Sequence, residues 1–548
     1  MQKVSLCLLA VLLWLSGCAT YGDRQAAAMS ALDRQDYERA AEQFEAVLSA
    51  RDRDTALYHL ELGMIRHLQG DYAASTEHLN QAYDLRDAFF GLTAEQQWQR
   101  LVRNPTAVPY QPQGFELAYI SYFQMLNAML MAQQSEPAKV AMFYERARVE
   151  ARRLDITLNT FNANYGDYLE QASRADGMGR QVLRLLDALR GRYYDPESLR
   201  YRDDAWSRFL IGVTYENQRE WDNARIAYQQ AAQAYAAGFA EQYNLGTEPE
   251  RLAWASVVRM MRTAGGYDSQ WPQLVAEHDL DPLLIEPLGL DESLVLTIEH
   301  WGRVAPVGEL NMILQQQPWS RSLMLRPIPS RGGDEGLEQL AWFMVLYADH
   351  GIANLLLRYQ TGGVQTLLDD PLLSQQVFLG PLWNTADQVG LLDGIGTVGI
   401  RVTVPWYPPA PPTQPPTTRV EPNQPLILMA NLEQKKRQQQ LLQAHDVLRS
   451  AIVREWLRNT TVAVGSGLVS EQGNAQAGLL LEVLGRTAAM ATARADTRHW
   501  ATLPQQVRVG LKRVLAEPQT VSLRTQQQLD FTVSPEPQQV HLLVVRNQ

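Results

Sequence analysis

The stretch "RFLIGVTYENQREWDNARIAYQQA", residues 208–231, sets Ile211, Gly212 and Tyr215 on one helical face and Ala224, Tyr228 and Ala231 on another. Both sets step by three and four residues, so the stretch predicts two helices packed as a pair. Close packing needs small side chains where the helices cross. Gly212 on the first helix and Ala224 on the second supply them, with Tyr215 and Tyr228 filling the groove between. The same skeleton occurs earlier as Leu62, Gly63, Ser75, Leu79 and Ala82, with twelve residues from one small residue to the next in both copies. Asp36, Tyr37, Ala40 and Phe44 stand 35 residues before Asp71, Tyr72, Ser75 and Leu79. A weaker copy runs through Ala128, Val140, Tyr144 and Ala147.

The spacing resembles that of tetratricopeptide repeats, W-x2-L-G-x2-Y followed by A-x3-F, with Arg208 in place of the first aromatic residue. Residues 24–238 then read as stacked antiparallel helix pairs, each burying its apolar face only against its neighbours. The stretch 156–204 is less regular, although "GRQVLRLLDALRGRYYDPES" keeps a helical period up to its proline. Such an array presents a concave surface, where Arg208, Tyr215 and Asn223 are expected to meet a partner.

Beyond a connector that carries Pro272, Pro282 and Pro287, "SLVLTIEHW" (293–301) alternates with period two and predicts a strand. "RSLMLRPIP" (321–329) predicts another, and helical periodicity returns in "LEQLAWFMVLYADHGIANLLLRY" (337–359). The Pro-dense stretch 404–425 predicts an extended connector or loop, with a spacer role favoured over proline recognition. Helices are expected near 431–460 and 475–494, then strands in "VRVGLKRVL", "TVSLRT", "LDFTVS" and "VHLLVVRN". The expected fold is mainly α. It comprises a helical repeat array over 18–240, a helical connector over 241–292, a mixed α/β region over 293–403, the Pro-rich linker, and an α+β domain over 426–548 with a small antiparallel sheet.

A chain of 548 residues has room for about three domains. Net charge is −11, and the Lys and Arg residues are scattered rather than gathered on one face, which excludes a phosphate-tracking surface and nucleic acid as a partner. Only two cysteines are present, Cys7 and Cys18, too few for a disulfide framework or a cysteine zinc site. Lys3 precedes the apolar run Val4–Leu15, which has the length of a signal-peptide core and is too short to span a bilayer. Leu15-Ser16-Gly17-Cys18 then resembles the lipobox of bacterial lipoproteins. That resemblance implies removal of 1–17 and acylation of the Cys18 thiol, with more than one acyl chain giving stable attachment. Ala19 follows in place of the Asp that favours the inner membrane, so the expected location is the periplasmic face of the outer membrane.

Motifs that could carry chemistry are weak. "GIGTVG" (394–399) has the letters of a dinucleotide fingerprint, but the strand pattern "IRVTVPWY" follows it where a helix is required, so it reads as a turn into that strand. No two of the nine histidines are spaced i, i+4 to share a metal, and His59 and His67, flanking Gly63, read as surface residues. "VGSGL" around Ser466 lacks the nucleophile elbow. "ADTRHW" sets Asp496, Arg498 and His499 together, where helix-ending and turn roles outweigh acid–base catalysis. Lys435, Lys436 and Arg437 of "EQKKRQQQ" read as the solvated face of a helix. No catalytic residue, metal or cofactor is therefore expected, and a binding protein fits better than an enzyme.

At "ADTRHWATLP" (495–504), "FLIGVTYENQREWDNARIAYQQA" (209–231) and "ANLEQKKRQQQLLQAHDVLRSAIVREWL" (430–457), the chain resembles a poorly characterised family of bacterial envelope lipoproteins. Those proteins join N-terminal tetratricopeptide repeats to a C-terminal α+β domain. Their genes often lie beside a lipoprotein activator of penicillin-binding proteins, which implies an envelope setting and supplies no catalytic residues. The expected function is a lipid-anchored periplasmic scaffold for a protein or peptide partner in cell-envelope biogenesis. The alternatives are an envelope hydrolase acting on peptidoglycan or glycan, using Asp496 and His499, and a structural or secretion-assembly lipoprotein.

Overall fold

Asp36, Asp71 and Asp204 start three helices in the same way: each carboxylate accepts the backbone N–H three residues on, at 3.0 to 3.3 Å. These caps satisfy donors that a helix N-terminus otherwise leaves bare. A computed structural model describes residues 21–48, 53–85, 105–112, 114–164, 204–329, 333–347, 374–396, 398–408, 418–420, 424–471, 475–524 and 528–547. The expected leader, Cys18, the expected helix in "GRQVLRLLDALRGRYYDPES", the middle of the Pro-rich stretch and 348–373 lie outside them.

The helical region comprises α1 (Tyr21–Asp33), α2 (Tyr37–Val47), α3 (Thr55–Gln69), α4 (Tyr72–Asp84), α5 (Gly114–Gln134), α6 (Pro137–Asn164), α7 (Ala205–Glu216), α8 (Trp221–Ala234) and α9 (Glu248–Ala264). Each packs on the helix before it and the helix after it, in chain order. The small residues sit where the spacing put them. A Cβ at Gly63 of α3 would lie 2.9 Å from Leu79 of α4, and one at Gly212 of α7 would lie 2.6 Å from the Tyr228 ring of α8. Gly70 ends α3 with φ +82, a left-handed cap that glycine adopts without strain.

The strands are β1 (Glu292–Trp301), β2 (Gly308–Gln317), β3 (Ser322–Ile328), β4 (Gln375–Phe378), β5 (Ile400–Trp406), β6 (Arg419–Val420), β7 (Gln424–Pro425), β8 (Ile427–Asn431), β9 (Gln506–Leu515), β10 (Gln519–Arg524), β11 (Gln528–Val533) and β12 (Val540–Asn547). They form three sheets, ordered β12-β1-β9-β8, β4-β3-β2-β5 and β11-β10-β6-β7. The first sheet is mixed, because β12 runs parallel to β1 while β9 is antiparallel to it.

Two expectations change here. The strands of the tail divide between two sheets instead of forming one, the third sheet lying almost wholly in the expected mixed region, and β1, from that region, lies between β9 and β12 of the expected tail domain. The stretch 404–425 is more than a linker, because its described ends are strands. Pro405 pairs with Glu309 on β5, an edge strand where the missing N–H breaks no ladder.

β1 is buried on both faces. Leu294, Leu296 and Ile298 join a core shared with the helices, and Val295 joins a smaller one with Val514, Val521 and Val545. The β4–β5 sheet has its own core with α10 (Asp334–Leu346) and with Ala444, Leu448, Ile452 and Trp456 of the long helix α11 (Leu432–Glu471). A last helix, α12 (Ala475–Thr492), packs on α11.

Candidate functional site

The inner face of the helical array is the surface on which a partner was expected, and the chain's own sheet fills it. Two side-chain amides clasp β12 along the edge that β1 leaves open. Asn217, at the end of α7, donates to the Val540 carbonyl at 2.9 Å and accepts the Val540 N–H at 2.7 Å. Gln133 of α5 does the same at Leu542, at 3.0 and 2.6 Å. Residues two apart on a strand expose their backbone groups to the same side, so one pair of amides reads both. The Tyr235 hydroxyl donates to the Met429 carbonyl of β8 at 3.0 Å, and the Tyr122 hydroxyl pairs with His300 Nε2 of β1 at 2.9 Å.

The segment 493–504 is a second staple between array and sheet. Glu61, buried on α3, accepts from Ala501 N at 2.7 Å, Thr502 N at 3.1 Å, the Thr502 hydroxyl at 2.7 Å and the Tyr21 hydroxyl at 3.3 Å. Burial pushes its carboxyl up to about 7, against these hydrogen bonds, which favour the charged form. Glu116 of α5 accepts from Trp500 N at 3.0 Å and from the Tyr110 hydroxyl. Arg498 pairs with Asp54 and Asp496, both at 2.7 Å, and donates to the Pro105 and Val108 carbonyls. Asp496 is thus held by Arg498, while His499 Nδ1 donates to the Thr497 carbonyl at 3.1 Å. No hydrogen bond joins Asp496 to His499, and burial holds His499 neutral, well below the usual imidazole range.

Lys435 and Lys436 of α11 are interior, contrary to their reading as a solvated face, while Arg437 is half-buried and paired with Glu433 at 3.5 Å. Lys435 is ion-paired with Asp204 and faces the Phe239 ring at 4.8 Å. Lys436 donates to the Ala305 carbonyl and faces the Tyr407 ring at 5.4 Å. Burial lowers Lys436 to about 8, against the pull of Glu433 and Glu116.

Of the three expected contact residues, Arg208 is buried, donating to Asp155 at 2.7 Å, Gln230 at 2.9 Å and Asn159 at 2.9 Å. Its guanidinium ties α7 to α6 and α8 and faces no groove. Tyr215 is half-buried against the main core, and Asn223 is exposed, bonded to Glu220. The three do not form one surface.

The histidines also move inward. His67 is buried, donates to Asn127 at 2.6 Å and lies 6.2 Å from the His300 ring. Burial lowers it to about 4. His59 and His78, on adjacent helices, approach Nδ1 to Nδ1 at 3.0 Å, so one carries the proton and the other accepts it. Among the described residues no group of three or more His, Cys, Asp or Glu side chains is placed to hold a metal ion. No described helix is long and apolar enough to cross a membrane.

Among the described residues, an exposed apolar stripe runs along α6. Met142, Val149 and Ile156 are spaced seven apart and exposed, opposite the buried face of Ala147, Ala151, Leu154 and Leu158. Beside them a cleft of about 360 Å³ runs between α4 and α6, lined by Ala73, Thr76, Glu77, Asn80, Gln81, Arg146 and Glu150. Sequence reasoning missed this stripe although its signal was present: a second apolar period in α6, out of phase with the core-facing one. No family model, no curated protein and no solved structure matches the chain.

Proposed function

We propose that the chain is a lipid-anchored periplasmic scaffold at the outer membrane, acylated at Cys18, that binds a protein or peptide partner in cell-envelope biogenesis. In this reading the helix pairs are tetratricopeptide-like repeats whose inner face is committed to the chain's own sheet, and the partner meets the outer face. The observation that carries it is the heptad-spaced exposed stripe Met142, Val149 and Ile156 on α6. Its geometry suits an amphipathic helix laid along the groove with apolar anchors every second turn. The lipobox-like sequence 15–18 supports the membrane attachment. The ionisable groups of "ADTRHW" and "EQKKRQQQ" support binding over catalysis, since Arg498, Lys435 and Lys436 are engaged by internal partners.

The test is in-cell photocrosslinking from positions 142, 149 and 156, with Asn223 as an outer-face control on α8. One dominant envelope protein is expected at the α6 positions, and Val149→Glu should abolish its crosslink without altering the far-ultraviolet circular dichroism. Equal, diffuse background at all four positions overturns the assignment.

A further inference from the structure

The second sheet, β4-β3-β2-β5, ends in a tip that is apolar and exposed, and it lies apart from the surfaces described above. Three loops build it. The turn Pro318–Ser320 between β2 and β3 carries Trp319, which is 82 % exposed. The end of β4 carries Phe378, 72 % exposed and paired in register with Ser322 beside that turn, and Leu382 follows in the next turn. Val398 stands in the turn before β5, where its carbonyl accepts from Gln315 of β2.

The tip is rigid. Arg321 N–H donates to the Pro318 carbonyl at 3.2 Å, Leu379 N–H to the Arg321 carbonyl at 2.9 Å, and Leu382 N–H to the Leu379 carbonyl at 2.9 Å. Its side-chain bonds join neutral groups, from Gln376 to Gln317 at 3.1 Å and from Ser320 to Gln317 at 3.3 Å. In a chain of net charge −11, residues 315–322, 376–384 and 398–400 contain no carboxylate, and Arg321 is their one charge.

We propose that this tip inserts into the interfacial layer of a lipid bilayer, with Trp319, Phe378, Leu382 and Val398 at the acyl boundary and Arg321 among anionic headgroups. Trp and Arg are the side chains that settle at this depth, each with an apolar body and a polar end that stays wet. Carboxylates are repelled there by anionic lipid, and the tip lacks them. The shape also favours a bilayer over a protein. Four side chains standing on three loops can bury roughly 600 Å², short of the ~800 Å² per partner of a stable protein interface. A fluid lipid surface closes around such a convex tip. The contact goes beyond the scaffold reading and does not need Cys18 to be acylated.

The test uses the full chain with Cys7→Ser and Cys18→Ser, so that acylation has no part in the outcome. Single cysteines are placed at 319, 378, 382 and 398, and at Leu529 of the third sheet as a control, and labelled with an environment-sensitive fluorophore. With vesicles of phosphatidylethanolamine and phosphatidylglycerol, emission at the four tip positions should shift to the blue and be quenched by spin-labelled lipid, while the label at 529 stays in water. Arg321→Glu should reduce the shift on these vesicles and leave it unchanged on phosphatidylcholine. No shift at the tip overturns the proposal. So does a shift produced by lipid-free envelope protein in the absence of vesicles, which would make the tip a protein-docking site.

Discussion

Glu61→Gln replaces a buried carboxylate that accepts four hydrogen bonds by a group that can accept at one oxygen only. Glu61 Oε1 receives Ala501 N and the Tyr21 hydroxyl, and Oε2 receives Thr502 N and the Thr502 hydroxyl. In the variant an amide NH2 faces at least one backbone N–H, donor against donor. The Thr502 hydroxyl can rotate to accept, but the backbone N–H cannot. A stranded buried donor costs about 1–3 kcal/mol, and losing charge-assisted bonds adds a similar amount. Relief of the buried charge returns part of it, since burial already pushes Glu61 up to about 7. A net loss of about 3 kcal/mol follows, which corresponds to roughly a hundredfold faster exchange of the amides it holds. Hydrogen exchange at pH 7.5, where the wild-type carboxyl is mostly ionised, should show that rise at Ala501 and Thr502, with the α7–α8 amides unchanged as an internal control. A rise below about threefold at Ala501 and Thr502 would refute the claim that this carboxylate clasps the segment 493–504 to the array.

Gly212→Ala should cost about 1–3 kcal/mol, because the new Cβ meets the buried Tyr228 ring at 2.6 Å and the Tyr228 hydroxyl is fixed on Glu216. Gly63→Ala, facing the aliphatic Leu79 at 2.9 Å, which no hydrogen bond holds, should cost less, and thermal denaturation of the two variants compares them directly. Lys435→Met leaves Asp204 buried without its cation and should lower the urea midpoint by the equivalent of about 3 kcal/mol, whereas pairing it with Asp204→Asn should restore part of the loss. For pH, the folded chain holds His67 at about 4 while an unfolded imidazole titrates at 6.5. Between these values the unfolded state binds more protons, so stability falls as pH drops from 6.5 to 4, by about 3 kcal/mol for this group. Glu61 works in the opposite sense between its unfolded value of 4.5 and about 7, where the folded state binds the proton more tightly and stability falls as pH rises. Urea midpoints from pH 4.5 to 7 should therefore rise less steeply for His67→Gln than for wild type.

The parts of this fold that sequence revealed are those whose cause is local. The Gly63–Leu79 and Gly212–Tyr228 crossings depend only on residues within one helix pair. The run "GIGTVG" is separable from a nucleotide site because the strand β5 follows it directly, and its Gly394 and Ile395 end a short helix, Leu391–Ile395, that precedes that strand. The misread residues share the opposite property. Lys435 finds Asp204 at a separation of 231 residues, and Lys436 finds Ala305 at a separation of 131. A cationic run on a helix looks solvated until such a partner arrives, since neither charge nor periodicity encodes a distant carboxylate.

The same limit explains why the array's inner face was assigned to a partner. An amphipathic period states that one side of each helix must leave water, not what will cover it. Here the cover is β12, and the residues that recognise it do so by backbone geometry. Asn217 and Gln133 bind the N–H and C=O of Val540 and Leu542, groups every residue carries, so no complementary side chain marks the match in either segment. That makes the clasp tolerant of substitution on the strand and intolerant of it on the helices. Asn217→Ala strands both polar groups of Val540 at a buried position and should loosen β12 by about 2 kcal/mol, read as faster exchange at the Val540 amide. Val540→Ile keeps the backbone contacts intact, so the exchange of its own amide should stay at the wild-type rate. Equal loosening by both would mean that the strand is held by side-chain fit instead, and that the array recognises this sequence rather than an extended backbone.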